Sequence, residues 1–332
     1  MKRYFFIGLI ITALFAACFE EDSKVPPYPG LVSTIDHDIT FYQSYFDFET
    51  NSVVKIHHRG EWDMAFGCDA SSWHVRINSG NEMFVFRSAL IDLNEPYNIT
   101  GNEEWLYDNP SGCADSSAVG AWCNSALYPC ISNNKIYVMA EKGVQGYREY
   151  IRFQMISADS SGYQIQYRKP AEPAICQLYI LKNDSFNFTY YSFKDEIQKN
   201  TEPLKNTYDI VFMPYYELVY GIVAFPMPYL VRGTLLNTNG AEACMQENVN
   251  FENIDYGQVL SADFEARQNI IGWDWKDVNI DFSGGTATYN IKTNRVYIVK
   301  SVEGNYFKLR FLSYKLEGSY GYPRFEFRLI SP

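Results

Sequence analysis

Arg295-Val296-Tyr297-Ile298-Val299-Lys300, then Gly304-Asn305-Tyr306-Phe307-Lys308-Leu309-Arg310-Phe311, then Gly321-Tyr322-Pro323-Arg324-Phe325-Glu326-Phe327 decide the fold. Each run is rich in aromatic and β-branched residues set two apart, and glycine-containing turns separate the runs. A side-chain period of two marks a strand with one buried face, so the three runs read as an antiparallel meander.

A second meander stands earlier in the chain. Lys135-Ile136-Tyr137-Val138-Met139, Tyr150-Ile151-Arg152-Phe153 and Gly162-Tyr163-Gln164-Ile165-Gln166-Tyr167 show the same alternation and turns. Upstream landmarks extend the match. Trp62-Asp63-Met64-Ala65-Phe66 aligns with Tyr208-Asp209-Ile210-Val211-Phe212, and Arg76-Ile77-Asn78 with Leu235-Leu236-Asn237. Asn78 lies 59 positions before Tyr137, and Asn237 lies 60 before Tyr297. Gly120 and Trp122 precede the first meander much as Gly272, Trp273 and Trp275 precede the second. Shared order, spacing and residue type predict an all-β chain of two tandem antiparallel domains, barrel- or sandwich-like, related by internal duplication. They are expected over residues 33–168 and 174–332, with a junction at Lys169-Pro170-Ala171-Glu172-Pro173. Within the aromatic-Asp motif, the aromatic residue and Phe66 or Phe212 are expected to face one core. The Asp is expected to accept backbone N–H groups at a strand end rather than to catalyse.

The N-terminus carries an export signal. Lys2 and Arg3 precede an apolar run from Tyr4 to Phe15, too short to span a bilayer but suited to a signal peptide over residues 1–17. Phe15-Ala16-Ala17-Cys18 has the form of a bacterial lipobox, which makes Cys18 the acylated first residue of the mature chain. The alternative is an ordinary signal peptide with Cys18 incidental. Glu20, Glu21 and Asp22 follow, and Pro26, Pro27 and Pro29 stiffen a tether over residues 18–32.

The formal net charge is −11, and loss of Lys2 and Arg3 with the signal peptide takes it to −13. Such a chain repels nucleic acid, and no basic block offsets this. About 310 residues remain, enough for two domains. Abundant aromatics, 27 Tyr and 23 Phe, fit β structure.

Beyond Cys18 stand Cys68, Cys113, Cys123, Cys130, Cys176 and Cys244, an even number that points to disulfides outside the cytoplasm. Three of them fall in a Ser-, Ala- and Gly-rich segment around 111–129, where a bridge would staple a long loop. Zinc is the rival reading, but no C-x-x-C pair or nearby histidine supports it, and no metal site is expected. There is no G-x-S-x-G, H-E-x-x-H or phosphate-cradling loop, and Glu103-Glu104 do not converge on one bond, so no catalytic residues are assigned.

The opening Thr40–Phe48 strand, the aromatic-Asp-x-x-Phe strands, the Asn-x-Gly turn and the closing V-Y-I-V-K, Y-F-K-L-R-F and F-E-F meander resemble the HmuY family. The second segment, 174–332, carries the likeness best. The first adds a cysteine-rich loop. The resemblance implies a mainly β surface lipoprotein of Bacteroidota, anchored in the outer membrane and facing outward. Founding members bind haem for iron acquisition, and a TonB-dependent outer-membrane transporter is the partner this implies.

The family grips iron with two axial side chains, a His pair or Met residues, from separate loops. This chain has only His37, His57, His58 and His74. His57 and His58 are adjacent, so strand alternation sends their rings to opposite faces, and a surface or structural role is the simpler reading for each histidine. Met64, Met139 and Met155 fall inside strand patterns and read as core. Met227 and Met245 fall in expected loops and form the other candidate axial pair. A glycan- or protein-binding patch is the alternative. Tyr215 and Tyr216, with Tyr220, Phe225 and Tyr229, form a Pro-rich aromatic stretch expected as an insertion between strands.

Overall fold

The computed structural model describes residues 30–220, 225–281 and 286–331. The expected signal peptide, Cys18 and the tether up to residue 29 lie outside the described residues. No described helix is long and apolar enough to cross a membrane.

Strands dominate. The chain opens with β1 (Leu31–Thr34), β2 (Tyr42–Asp47), β3 (Ser52–His58), β4 (Met64–Gly67), β5 (Val75–Ile77) and β6 (Met83–Arg87). β7 (Cys130–Ile131), β8 (Ile136–Gly143), β9 (Gly146–Ala158) and β10 (Gly162–Arg168) follow. Then come β11 (Cys176–Leu181), β12 (Phe188–Ser192), β13 (Ile197–Lys199), β14 (Ile210–Val219), β15 (Met227–Leu236) and β16 (Glu242–Glu247). A short helix, α1 (Tyr256–Ser261), is capped by the Asp255 carboxylate, which accepts the Gly257 N–H. The chain closes with β17 (Lys276–Asp281), β18 (Thr286–Ile291), β19 (Arg295–Lys300), β20 (Tyr306–Leu316) and β21 (Ser319–Ile330).

The two meanders form as read, as β8–β9–β10 and β19–β20–β21. Strand pairing, however, crosses the junction expected near 170–173. One five-strand path runs β11-β10-β9-β8-β6 and the other β1-β21-β20-β19-β16. The four-stranded sheets run β13-β12-β4-β5 and β3-β2-β14-β15. The two orders correspond position by position, but β1 and β2 pair with strands from beyond 174, carrying β3 with them, and β11 and β12 pair with strands from the first segment, carrying β13. Each unit therefore draws strands from both expected segments. Among the described residues no sheet closes into a barrel: each path ends on two different edge strands, so the sheets pack as sandwiches.

Alternation builds the layers. In β4, Met64 and Phe66 enter a core shared with Tyr137, Phe153 and Tyr163 of the meander sheet. In β14, Ile210 and Phe212 enter the other core with Tyr297, Phe307 and Phe325. Trp275 stacks on Phe311 at 3.9 Å between centroids, and Phe46 meets Phe325 edge-on at 5.0 Å. Such contacts contribute about 0.5–1.5 kcal/mol each beyond burial. The outer faces of the two four-stranded sheets turn towards one another. Gly80 permits this approach, since a Cβ there would meet the Pro214 carbonyl oxygen at 2.4 Å.

The expectation that Trp62 and Phe66 share a core, and likewise Tyr208 and Phe212, is corrected. Trp62 packs with Ala65, Phe188 and Tyr190, and Tyr208 with Tyr45, Val211 and Tyr215, all between the sandwiches. The aromatic residues precede the regular strand, and the buried Asp after each breaks the simple parity.

Of the disulfide candidates, Cys123 and Cys130 are bridged and staple the loop. Cys68, Cys113, Cys176 and Cys244 are free thiols. Cys68 is buried against the Thr189 hydroxyl, and Cys244 is buried in a separate cluster beside α1. Evenness of number thus did not translate into three pairs.

Candidate ligand-binding site

Asp63 and Asp209 tie the head of β4 and of β14 to neighbouring backbone. The Asp63 carboxylate accepts the Phe193 N–H at 2.7 Å and the Tyr150 hydroxyl at 3.2 Å. Asp209 accepts the N–H groups of Phe48 and Val302, each at 2.9 Å. Both are structural anchors, as their position before a strand suggested, and burial pushes both carboxyls above the ordinary range. The carboxylates of Asp47, Glu49 and Asp209 also lie within 4.8 Å of one another, but Asp209 already spends its oxygens on the backbone.

Between the facing sheets lies a cavity of about 90 Å3. Register positions that correspond in the two sheets line it. Tyr190, opposite Ala65, corresponds to Tyr45, opposite Val211. Arg76, also opposite Ala65, corresponds to Leu235, opposite Val211. The match is broken by charge: Arg76, Asp108 and Glu202 all border the cavity. Glu202 accepts the Phe188 N–H at 2.8 Å and the Tyr190 hydroxyl at 3.0 Å, and burial pushes its carboxyl up to about 7. Asp108 accepts the N–H groups of Ile77 and Ala118, and burial raises it to about 6. At about 90 Å3 this space is far below the roughly 300–1,000 Å3 of organic-ligand pockets, so it excludes a porphyrin or a sugar ring.

A larger open cleft, of about 780 Å3, lies on the outer side of the second sandwich. Leu218, Tyr220 and Trp273 give it an apolar wall, Met245 projects a thioether into it, and Arg267 and Lys292 stand at its margin. Arg267 pairs with Glu265 at 2.9 Å and Lys292 with Asp277 at 3.4 Å. Lys276 is buried there and donates to the carbonyls of Arg232 and Trp273, and desolvation holds its ammonium well below the usual lysine range. Two further clefts, of about 580 and 560 Å3, contain Met83 and Cys68, but both of those sulfur side chains are buried.

Compared with known proteins, the chain matches the family model described as HmuY protein over residues 41–327. The chain belongs to the HmuY family. It is a haemophore-like family and not an enzymatic one. Among curated proteins none matches the chain in sequence. Solved structures include apo PinO from Porphyromonas gingivitis, at 10% identity and TM-score 0.30, covering 92% of this chain and 98% of that one. A HmuY-like protein of Bacteroides vulgatus overlaps at 12% identity and TM-score 0.23, covering 90% and 91%. The apo HmuY analog of Tannerella forsythia gives 8% identity and TM-score 0.25, covering 91% and 96%. Overlaps this loose carry no argument, and the family assignment rests on the sequence match.

The axial pairs expected from the HmuY resemblance are not assembled. His57 is buried, with Nδ1 3.1 Å from the His58 carbonyl oxygen and Nε2 3.5 Å from the Tyr45 hydroxyl, and burial holds it neutral with a pKa near 4. His58 points to the opposite, exposed face, where its Nδ1 accepts the Gly60 N–H. The two share no ligand position. Met227 and Met245 lie in β15 and β16 rather than in loops, because the hairpin strands run longer than their prolines suggested. Met227 sits opposite Val219 and is not part of the cleft wall that Met245 joins. Tyr215 and Tyr216 are corrected as an exposed patch. Both are buried in β14, Tyr215 at the central cavity and Tyr216 against Phe84 at 4.9 Å. The exposed rings of this stretch are Tyr220 and Phe225, each 70% accessible, and Tyr229.

Sequence reasoning passed over Arg76, Asp108, Glu202 and Gln43. One signal was available for the first: the aligned segments set Arg76 against Leu235, a charge where the partner strand carries a core residue. Glu202 and Asp108 lie in loops, and nothing local marks them as buried.

Proposed function

We propose that this chain is a non-catalytic ligand carrier on the outer face of the outer membrane, anchored through acylated Cys18, with a haem-type porphyrin held in the Met245 cleft. One observation carries the reading: among the described clefts of porphyrin size, this one alone presents an accessible sulfur donor, with Met245 40% exposed. The residues fit the group in kind. Trp273, Tyr220 and Leu218 offer flat apolar contact, and Arg267 and Lys292 offer charge to carboxylate substituents. A bound haem would supply an iron centre that accepts a soft axial ligand, a position the Met245 thioether suits in the reduced state. A carrier of this kind would pass its cargo to a TonB-dependent outer-membrane transporter.

A glycan- or protein-binding surface is the second reading, favoured by the exposure of Tyr220 and Phe225 at the hairpin tip rather than by Tyr215 and Tyr216. Titration of the soluble chain with haemin, beside a glycan screen, separates the two. A Soret shift supports the carrier, whereas glycan binding lost in Tyr220→Ala/Phe225→Ala with no Soret shift replaces it with the aromatic surface.

A further inference from the structure

The cavity between the sandwiches has a chemistry that the porphyrin reading does not use. Three polar atoms on its wall have no hydrogen-bond partner: Gln43 Nε2, Trp62 Nε1 and the Tyr215 hydroxyl. Their residues are 1%, 6% and 5% exposed. An orphaned polar group at such depth loses its hydration without recompense, so three around one space call for an occupant. The indole N–H can only donate, and the amide and hydroxyl can both donate. The occupant must therefore be rich in acceptors.

Charge points the same way. Arg76 lays its guanidinium over the Phe188 ring at 4.3 Å and donates to Gln268 Oε1 at 2.7 Å and to the Gly112 carbonyl. Among the described residues it has no carboxylate within salt-bridge distance. The two carboxylates of the wall, Glu202 and Asp108, have both oxygens already engaged by backbone N–H groups or Tyr190. A half-buried cation lacking an ion-pair partner, beside three buried unpaired donors, forms the half of a site that an anion completes. Size narrows the class: about 90 Å3 admits an anion of four or five heavy atoms.

We propose that the inter-sandwich cavity is a binding site for a small oxyanion such as phosphate, nitrate or bicarbonate. Arg76 supplies the counter-charge, and Trp62, Gln43 and Tyr215 supply the donors. The other titratable groups facing it are Asp108, Glu202 and the hydroxyls of Tyr45, Tyr190 and Tyr208. His57 and His74 stand behind Tyr45 and Arg76, and burial keeps both neutral. Near pH 5.5 Asp108 and Glu202 are largely protonated, so they repel an anion less than at pH 8.

The test is thermal unfolding of the soluble chain in phosphate, nitrate or bicarbonate against sodium chloride at matched ionic strength, with isothermal titration of the same salts. At least one oxyanion should raise the melting temperature, and nitrate, whose charge is the same at both values, should do so more at pH 5.5 than at pH 8; bicarbonate is compared at pH 8 only. Arg76→Leu, which installs the residue of the corresponding strand, should weaken binding about tenfold or more while unfolding remains cooperative. Trp62→Phe removes one N–H and keeps the ring, so it should weaken binding several-fold and serves if Arg76→Leu misfolds. No oxyanion-specific shift would leave a cluster of ordered waters as the occupant, and equal shifts in the wild type and Trp62→Phe would place the anion elsewhere; either result overturns the proposal.

Discussion

Asn78 and Asn237 hold the same place in the two sandwiches. Asn78 donates its side-chain amide to the carbonyls of Arg59 and Trp62 at 2.6 and 2.7 Å, and Asn237 donates to those of Lys205 and Tyr208 at 2.8 and 2.7 Å. Each backbone N–H in turn donates to the Asp at the head of the neighbouring strand, Asp63 or Asp209. Truncating Asn78 leaves the Arg59 and Trp62 carbonyls unpaired, and truncating Asn237 leaves that of Tyr208 unpaired and that of Lys205 with only a long bond from Asn239. Asn78→Ala and Asn237→Ala should each destabilise the fold by about 1–3 kcal/mol, read as a lower denaturant midpoint with unchanged slope. Losses below a few tenths would show that water replaces the amide.

Stability should also depend on Glu202. Its carboxyl titrates near 7 when folded and near 4.5 in an open chain, so the folded state holds the proton more tightly. Stability therefore falls as pH rises from 4.5 to 7, by on the order of 3 kcal/mol for this group. His57 and His74 act oppositely below pH 6.5, because their folded values, near 4 and 2, favour protonation of the unfolded chain. Glu202→Gln isolates the first effect. The variant should gain stability relative to wild type at pH 8 and lose that advantage by pH 4.5, and a difference independent of pH would contradict the assignment.

Residues 174–332 should not fold alone. That segment lacks β1–β3, which pair with β21 and β14, and it strands β11–β13 without β10 and β4. Expressed separately it should show no cooperative melt or near-UV signal, and co-expression with residues 30–173 should restore both. A cooperative melt of the isolated segment would mean that it rebuilds its sheets without the exchange.

Thiol counting checks the cysteines. A chain lacking residues 1–18 should accept four alkyl groups when unfolded without reductant and six after reduction. Under native conditions Cys113, the exposed thiol, should label first.

Much of the fold was legible because alternation is a local property. Tyr297, Phe307 and Phe325 declare a buried face through their own spacing, and so do Tyr137 and Phe153. Pairing across the chain is not local. Nothing in Tyr42–Asp47 tells that its second neighbour, beside β3, is β14 rather than a nearer strand, since a buried alternating strand fits either. The roles of Asp63 and Asp209 could be read from position before a strand. Tyr215 and Tyr216 could not, because Pro214 and Pro228 suggested a loop, whereas Tyr216 is covered by Phe84 and Tyr107 from the other sandwich. Met245 is a donor candidate by residue type and an expected loop position, whereas its actual place on a cleft wall depends on β17 folding beside it.

The carrier account is tested most directly by titrating reduced and oxidised haem into the soluble wild type, Met245→Ala and Met227→Ala while following the Soret band. Met245 is surface-exposed, so its truncation should leave the fold intact. The account predicts a Soret shift that is stronger with reduced haem, lost in Met245→Ala and retained in Met227→Ala. A wild type with no shift in either redox state, or a Met245→Ala chain that binds as wild type does, would contradict it.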